Sequence, residues 1–320
     1  MAIIRFSGFT VVRPTSASGR RGAAVIFAML VVFITAAVAY SLLETGELEI
    51  RRALMITRRA VAVELSRQKI TDAINALMSA QYEEKIPIGG NGYLEGLSRK
   101  LSSDGVTIAV YDEQGKFNLN NLVVNDAPSA VDIKIFKKLL RSLSLPEHLA
   151  DTITDWIDPD MIPRNPGGAE DEYYLGLQPP ALPGNRILLE PWEASLAKGF
   201  GEQEMARLLP YICALPGSVR LNINSATAQA LSSHIEGLSV ELANDIVMKR
   251  NIHPFSGIAD FRSKLPQGAS GVREEGLTDT SEYFRITAEV SKDNAWAKME
   301  ALVRANSEYF SYNVIWRRTI

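Results

Sequence analysis

The chain has 320 residues, 46% hydrophobic and 22% charged, which is enough apolar material for one or two real cores and excludes a disordered tail. A formal net charge of −3 gives no general pull toward nucleic acid, and the single cysteine, Cys213, excludes an intrachain disulfide. A small buried apolar role is expected for that thiol.

Residues 1–22 read as a leader, in which Pro14, Ser16, Ser18 and Gly19 argue against helix before Gly22. From Ala23 to Leu43 the chain then runs 21 residues without a charge. At about 1.5 Å per residue, a helix of that length crosses a hydrocarbon core of about 30 Å. A cleaved secretory signal has a shorter apolar core, about 7–15 residues. Arg5, Arg13, Arg20 and Arg21 precede the run and Glu44, Glu47 and Glu49 follow it, so the cation bias puts the N-terminus in the cytoplasm. The apolar stripe continues through Ile50, Leu54, Val61, Leu65, Ile70, Ile74 and Leu77, interleaved with Arg51, Arg52, Arg58, Arg59, Glu64, Arg67 and Lys69. One helix over residues 23–82 is predicted, first greasy and then amphipathic.

Pro87, Gly89, Gly90, Gly92 and Gly96 predict an extended loop. It is no phosphate cradle, because Glu95 stands at the third glycine position of G-x-G-x-x-G and no strand precedes it. Val106, Ile108 and Val110 alternate with polar or small residues, and Asp112–Lys116 turns the chain into Phe117 and Leu119, which predicts a β-hairpin. Residues 128–280 read as helical: Ile133, Phe136, Leu139, Leu140 and Leu143 recur at helical spacing, Pro146-Glu147 opens a helix to Trp156, and Leu196, Phe200, Met205, Leu208 and Leu209 continue the style. Such a stretch is too long for a loop. Strand alternation returns at Phe284–Val290 and Ala297–Val303 around a Lys292-Asp293-Asn294 turn, and Phe310, Tyr312, Val314 and Trp316 are expected to share one face of a last strand. Two strands before the helical stretch and three after it imply one antiparallel sheet, whose apolar face the amphipathic half of the first helix can cover.

Within the helical stretch lies DWIDPDMIPRNPGGAEDEYY. Asp155, Asp158, Asp160, Glu170, Asp171 and Glu172 stand there against the single cation Arg164. Crowded carboxylates raise one another's pKa unless a cation sits among them. With oxygen donors and no nearby His or Cys, that ion is a hard one, calcium rather than zinc; a merely solvated acidic loop is the alternative. The spacing is not that of an EF-hand, and Trp156, Tyr173 and Tyr174 call for burial close by.

The segment Leu221–Thr227 resembles the entry to a helix-hairpin-helix module, with Asn224 or Ser225 as N-cap, Leu231 and Ile235 in the core, and Ala243, Ile246, Val247 and Arg250 on the second helix. Its turn has one glycine, Gly237, and Glu236 stands where a phosphate would approach, so structural reuse is expected over DNA binding. His148, His234 and His253 are scattered and no G-x-S-x-G elbow occurs, so no enzyme is expected.

Two stretches carry a family resemblance. Arg20-Arg21-Gly22 before Ala23-Ala24-Val25-Ile26-Phe27 resembles a type IV prepilin leader. The resemblance implies cleavage by a membrane aspartic peptidase between Gly22 and Ala23, methylation of Ala23, and a glutamate as fifth mature residue; here Phe27 takes its place. Loss of that carboxylate is expected of a subunit at a filament tip. D-W-I-D-x-D, G-A-E-D-x-Y-Y, Gly184-Asn185-Arg186 and the later N-I-N-S-A look like general secretion pathway protein K, the tip pseudopilin of type II secretion.

That resemblance implies an α+β fold: a pilin-like long N-terminal helix packed on an antiparallel sheet, with a large all-α domain inserted between strands. The expected parts are leader 1–22, helix 23–82, a discontinuous pilin-like domain 83–127 and 281–320, and insertion 128–280. It also implies calcium, carried over to Asp158, Asp160, Glu170 and Asp171 with Asn185 and Glu172 in reserve; the cysteine pair that staples this loop in some members is missing here. The expected function is a minor pseudopilin at the tip of the pseudopilus, helping to start its assembly and supporting secretion across the outer membrane. The expected location is the inner membrane, single-pass, with the C-terminal domain periplasmic. Expected partners are other minor pseudopilins and the prepilin peptidase, with no nucleic acid. The alternatives are a membrane-tethered DNA-uptake protein and a type IV pilus minor pilin.

Overall fold

The computed structural model describes residues 17–82, 91–269, 271–272, 274–306 and 311–320. The chain divides into two units, one ending at Arg58 and one from Arg59 to Ile320. Helix α1 spans Ala17–Tyr82 and contributes to both. In the first unit nearly every residue from Gly22 to Arg58 is exposed, and the helix's most apolar window has a mean hydropathy of 2.6 with none of it buried. Thr35, within that stretch, returns its hydroxyl to the Val31 and Val32 carbonyls, 2.9 Å each, so it adds no unmet donor to an apolar surrounding. The helix begins earlier than expected, placing Gly22 and Ala23 inside it. After Pro14 no proline interrupts the chain, Arg20 and Arg21 are good helix formers, and one glycine costs only about 1 kcal/mol.

The second unit holds the sheet. In chain order its elements are α2 (Asn91–Leu101), β1 (Val106–Asp112), β2 (Tyr283–Lys292), β3 (Ala295–Asn306) and β4 (Ser311–Thr319), paired antiparallel in the order β1-β2-β3-β4. Asp293 and Asn294 turn β2 into β3 with φ of 52° and 60°, both left-handed as a two-residue hairpin requires. One face of the sheet (Ile108, Val110, Phe284, Ile286, Met299, Val303) packs on the end of α1 and on Leu94 and Leu97 of α2. The α1 stripe that is buried is Ala62, Ser66, Ile70, Ala73, Leu77 and Ala80. It includes Ile70 and Leu77, but Val61 is 63% exposed, because four small residues bring the helix onto the sheet one position away from the large ones.

Four sequence expectations change. Gly92 and Gly96 lie in α2, not in a loop, since burial of Leu94 and Leu97 outweighs their low propensity; residues 83–90 lie outside the described ones. Residues 106–119 are not a hairpin. Asp112 caps a 3-10 turn through its Oδ1, which accepts from Gln114 N at 2.9 Å, and Phe117-Asn118 then pairs parallel with Ile212-Cys213. Among the described residues the sheet therefore has one strand before the helical stretch and three after it. The hydroxyls of Ser98 on α2 and of Ser102 just after it accept the β1 amides of Val110 and Ile108 at 3.0 and 2.9 Å, closing what would otherwise be an open edge. Finally, a register shift between Leu302 and Val303 leaves Ile315 as a bulge. Tyr312 thus packs with the helix-side core while Trp316 joins Leu302, Cys213 and Tyr283 on the other face; Phe310 lies outside the described residues.

Between β1 and β2 the chain builds two helical cores. Helices α3 (Ala130–Ser142), α4 (Leu149–Ile157), α5 (Asp171–Leu175) and α6 (Glu202–Leu208) form the first, which also takes in Phe117, Leu119 and Leu122 upstream of residue 128. The second holds α7 (Ala228–His234), α8 (Val240–Ile252) and α9 (Ile258–Ser263). The two share one plan. Phe117-Asn118 and Leu221-Asn222 open them as two-residue strands, and Ile212-Cys213 and Leu277-Thr278 close them in parallel pairing, each after a 3-10 turn. In both, the opening asparagine accepts the amide of the residue two further on, Asn118 from Asn120 and Asn222 from Asn224. Asn120 then clamps both backbone groups of Leu188, as Asn224 does those of Phe255.

Candidate metal centre

Helix α4 is buried along its whole length, and two of its carboxylates have opposite fates. Asp151 meets Lys137 at 2.8 Å and Arg164 at 3.6 Å. Asp155, one turn on, has no ion pair among the described residues; its Oδ2 accepts from Arg164 N at 2.9 Å and its Oδ1 has no partner. Asp158 caps the helix, its amide donating to the Thr154 carbonyl, and its Oδ1 is also unmet. The chain then loops out through Arg164 and returns at Gly168, whose amide donates to the Arg164 carbonyl at 2.7 Å. A Cβ there would collide with Asp155 Oδ2 and the Arg164 backbone, so the return needs glycine. Two residues later both oxygens of buried Glu170 are unpartnered.

Oxygens of Asp155, Asp158 and Glu170 lie within 4.8 Å of one another. Burial, before any other cause, pushes Asp155 to about 6, Asp158 to about 7 and Glu170 to about 8; neighbouring carboxylates add to it in all three. Three desolvated acids facing each other with four unmet oxygens form a donor set for a hard cation, with neither nitrogen nor sulfur in it. Asn185, at φ 44° in the Gly184-Asn185 turn, donates its amide to the Trp156 carbonyl at 2.9 Å and holds another unmet buried oxygen, Oδ1.

Of the four expected ligands, Asp158 and Glu170 come together. Asp160 is exposed and its Oδ1 accepts from Ile162 N at 2.7 Å; Asp171 is half-buried in the first turn of α5, and Glu172 is exposed. The third member of the cluster is Asp155 instead. Its signal in the sequence was position: three residues before Asp158 on a helix, hence on the same face. Trp156 and Tyr174 are buried edge to face at 5.2 Å behind the cluster, and the Tyr174 hydroxyl accepts from Lys198 N; Tyr173 is 39% exposed under the Lys198 ammonium.

The helix-hairpin-helix segment is built for packing. Thr227, not Asn224 or Ser225, is the N-cap of α7, because both of the earlier residues belong to the turn that precedes it. Gly237, at φ 78°, closes against the Gly268 carbonyl so tightly that any Cβ there would collide with it. Arg250 is 2% exposed and gives Nη1 to the Ile223 and Ala226 carbonyls at 2.7 Å, locking the turn from within. His234 is held low by burial and packs its ring near Phe117.

Two family profiles, both described as type II secretion system (T2SS), protein K, match residues 115–217 and 221–280, together more than half of the chain. The type II secretion system protein K of Pseudomonas aeruginosa is 29% identical over 285 residues, covering 85% of each chain. That of Aeromonas hydrophila is 27% identical over 298 residues, covering 86% of this chain and 90% of the relative. A chain in the crystal structure of the GspK-GspI-GspJ complex from the enterotoxigenic Escherichia coli type 2 secretion system superposes with a TM-score of 0.70 at 21% identity, over 84% of this chain and 99% of that one. The long first helix, the antiparallel sheet and the helical stretch between its strands thus have a solved counterpart. With the family profiles falling on both helical cores, this chain belongs to the type II secretion system protein K family, the minor pseudopilins of that machine.

Proposed function

We propose that this protein, anchored in the membrane by its single apolar helix, sits at the tip of the pseudopilus and helps to start its assembly with other minor pseudopilins, doing no catalysis of its own. The observation that carries the reading is Phe27. Cleavage between Gly22 and Ala23, with methylation of Ala23, makes Phe27 the fifth mature residue, and it is 66% exposed on α1. A carboxylate at that depth needs a partner's amine from the subunit above. A phenylalanine needs none, which suits a terminal subunit. The helical stretch between β1 and β2 adds bulk suited to an end cap. The cation bias of the flanks supports a cytoplasmic N-terminus and a periplasmic C-terminal part.

Calcium is the ion that this donor set suits. Asp155, Asp158 and Glu170 would hold it, with the unmet Asn185 Oδ1 in reserve as a neutral donor, and the ion would supply positive charge to a cluster otherwise buried at cost.

Two measurements test this. Co-expression with a prepilin peptidase should shorten the chain to begin at Ala23, and an unshifted mass, or a cut elsewhere, counts against it. Immunogold on overproduced pseudopili should label ends only; label along the shaft refutes the tip position.

A further inference from the structure

On the face of the sheet turned away from α1 the packing is thin. Four buried residues make the core there, Cys213, Leu215, Tyr283 and Leu302, with Val219 and Trp316 against them. Beside this small core lies a cavity of about 260 Å³, walled by Leu302 and Trp316 of the sheet and by Leu189, Pro191, Ile212 and Leu215 of the helical stretch. Sites for drug-sized molecules run to about 300–1,000 Å³, so this one suits a ligand of a single ring. Trp192 also lines it and is 50% exposed, which gives a way in from solvent.

Two features of the wall select the ligand. Trp316 Nε1 is buried and has no hydrogen-bond partner, although a buried indole N–H normally finds an acceptor. The charges beside it do not balance either. Lys116 meets Glu113 at 3.0 Å, Arg285 joins Glu113 at 2.8 Å, Arg318 joins Glu300 at 2.8 Å and also Glu190, and Lys298 joins Glu300 at 3.4 Å, so four cations share three carboxylates. Burial works to raise Glu300, but the Arg318 guanidinium outweighs it and holds the carboxylate below its ordinary value, so that partner stays charged. The Arg318 guanidinium also lies 5.2 Å from the Trp316 ring. An unmet donor and a surplus cation in an apolar cavity call for an acceptor that carries negative charge. We propose that the cavity binds a small apolar carboxylate, its hydrocarbon against Ile212, Leu215 and Leu302 and one oxygen accepting from Trp316 Nε1 beside Arg318. Arg318 already spans from Glu300 on β3 to Glu190 ahead of the 3-10 turn Pro191–Leu196, so the ligand sits where the helical stretch meets the sheet and fastens one to the other. The site shares no residue with the carboxylate cluster and depends on neither the tip position nor the ion.

The test uses the full chain in detergent, with phenylacetate as the probe and 2-phenylethanol as its uncharged counterpart. Calorimetry against a detergent blank should show saturable phenylacetate binding with a Kd on the order of 1 mM, as about ten heavy atoms allow. The alcohol should bind several-fold more weakly, and phenylacetate alone should raise the thermal midpoint. Trp316→Phe keeps a ring in place and removes the N–H, so it should weaken phenylacetate several-fold. Ala214→Leu builds a larger side chain into the wall and should abolish binding. Should that variant fail to melt cooperatively, Trp316→Phe decides alone. Absence of saturable heat, equal binding of the alcohol, or unchanged affinity in Trp316→Phe overturns the proposal. Binding that survives in a well-folded Ala214→Leu lies elsewhere on the chain and overturns it too.

Discussion

Glu170 concentrates the chemistry of the acidic loop in one side chain: buried, unpartnered at both oxygens, and pushed to about 8. Its raised value means that the folded chain without metal holds a proton that the unfolded chain has released. Between about pH 4 and pH 8 the folded state then binds more protons, so stability without calcium falls as pH rises through that window. Calcium replaces those protons, and its stabilising effect should be larger at pH 8 than at pH 5. Thermal melts in chelator and in calcium across the range check this; a flat chelator curve would remove the cluster from the account. In Glu170→Gln, calorimetry should lose the calcium heat while the chelator melt at neutral pH rises by a few degrees, because the glutamine is neutral without the proton that buried Glu170 must keep bound there. Gly168→Ala should cost about 1–3 kcal/mol, since the new Cβ must push aside Asp155 or the Arg164 backbone. Its denaturation midpoint should drop even in chelator, which separates packing from metal.

Among the elements, those with a period were legible and those held by small or polar groups were not. Strands β2 and β3 follow from Phe284–Val290 and Ala297–Val303 because side-chain direction alternates whatever the neighbours are. The face of α1 was read one position off, because size marks apolar residues while Ala62, Ser66, Ala73 and Ala80 mark where helix and sheet come closest. Ala73→Leu should therefore destabilise by about 1–3 kcal/mol, although it makes the helix more hydrophobic, and a denaturant titration of the full chain in detergent reads it. The N-I-N motif suggested a helix entry, but its asparagines serve a different end. Asn224 satisfies Phe255 N–H, Phe255 C=O and Asp279 C=O, groups far away in sequence, and no local pattern announces such a clamp. Asn224→Ala leaves buried backbone groups unmet and should cost about 2–4 kcal/mol, detected as a lower unfolding midpoint. In the acidic loop, composition pointed to a hard ion and the family resemblance to Asp158 and Glu170, two of the three clustered carboxylates, while Asp155 required knowing that α4 continues to Ile157.

For the whole molecule, the question is whether another protomer ever stands above it. An acid at the centre of a span costs about 2.5–3.5 kcal/mol and less toward the interface, unless a cation meets it. In a subunit stacked beneath a neighbour, the neighbour's N-terminal amine meets that charge and the cost is offset. At a tip nothing does. Phe27→Glu thus distinguishes the two positions by the sign of its effect. In a terminal subunit it should lower the amount of chain held in the membrane and the number of pseudopili started, while leaving the melt of the folded second unit unchanged, since Phe27 belongs to the first. In a shaft subunit the same change should be neutral or should strengthen incorporation. Counting pseudopili per cell beside a membrane immunoblot, with Phe27→Leu as the apolar control, decides between them.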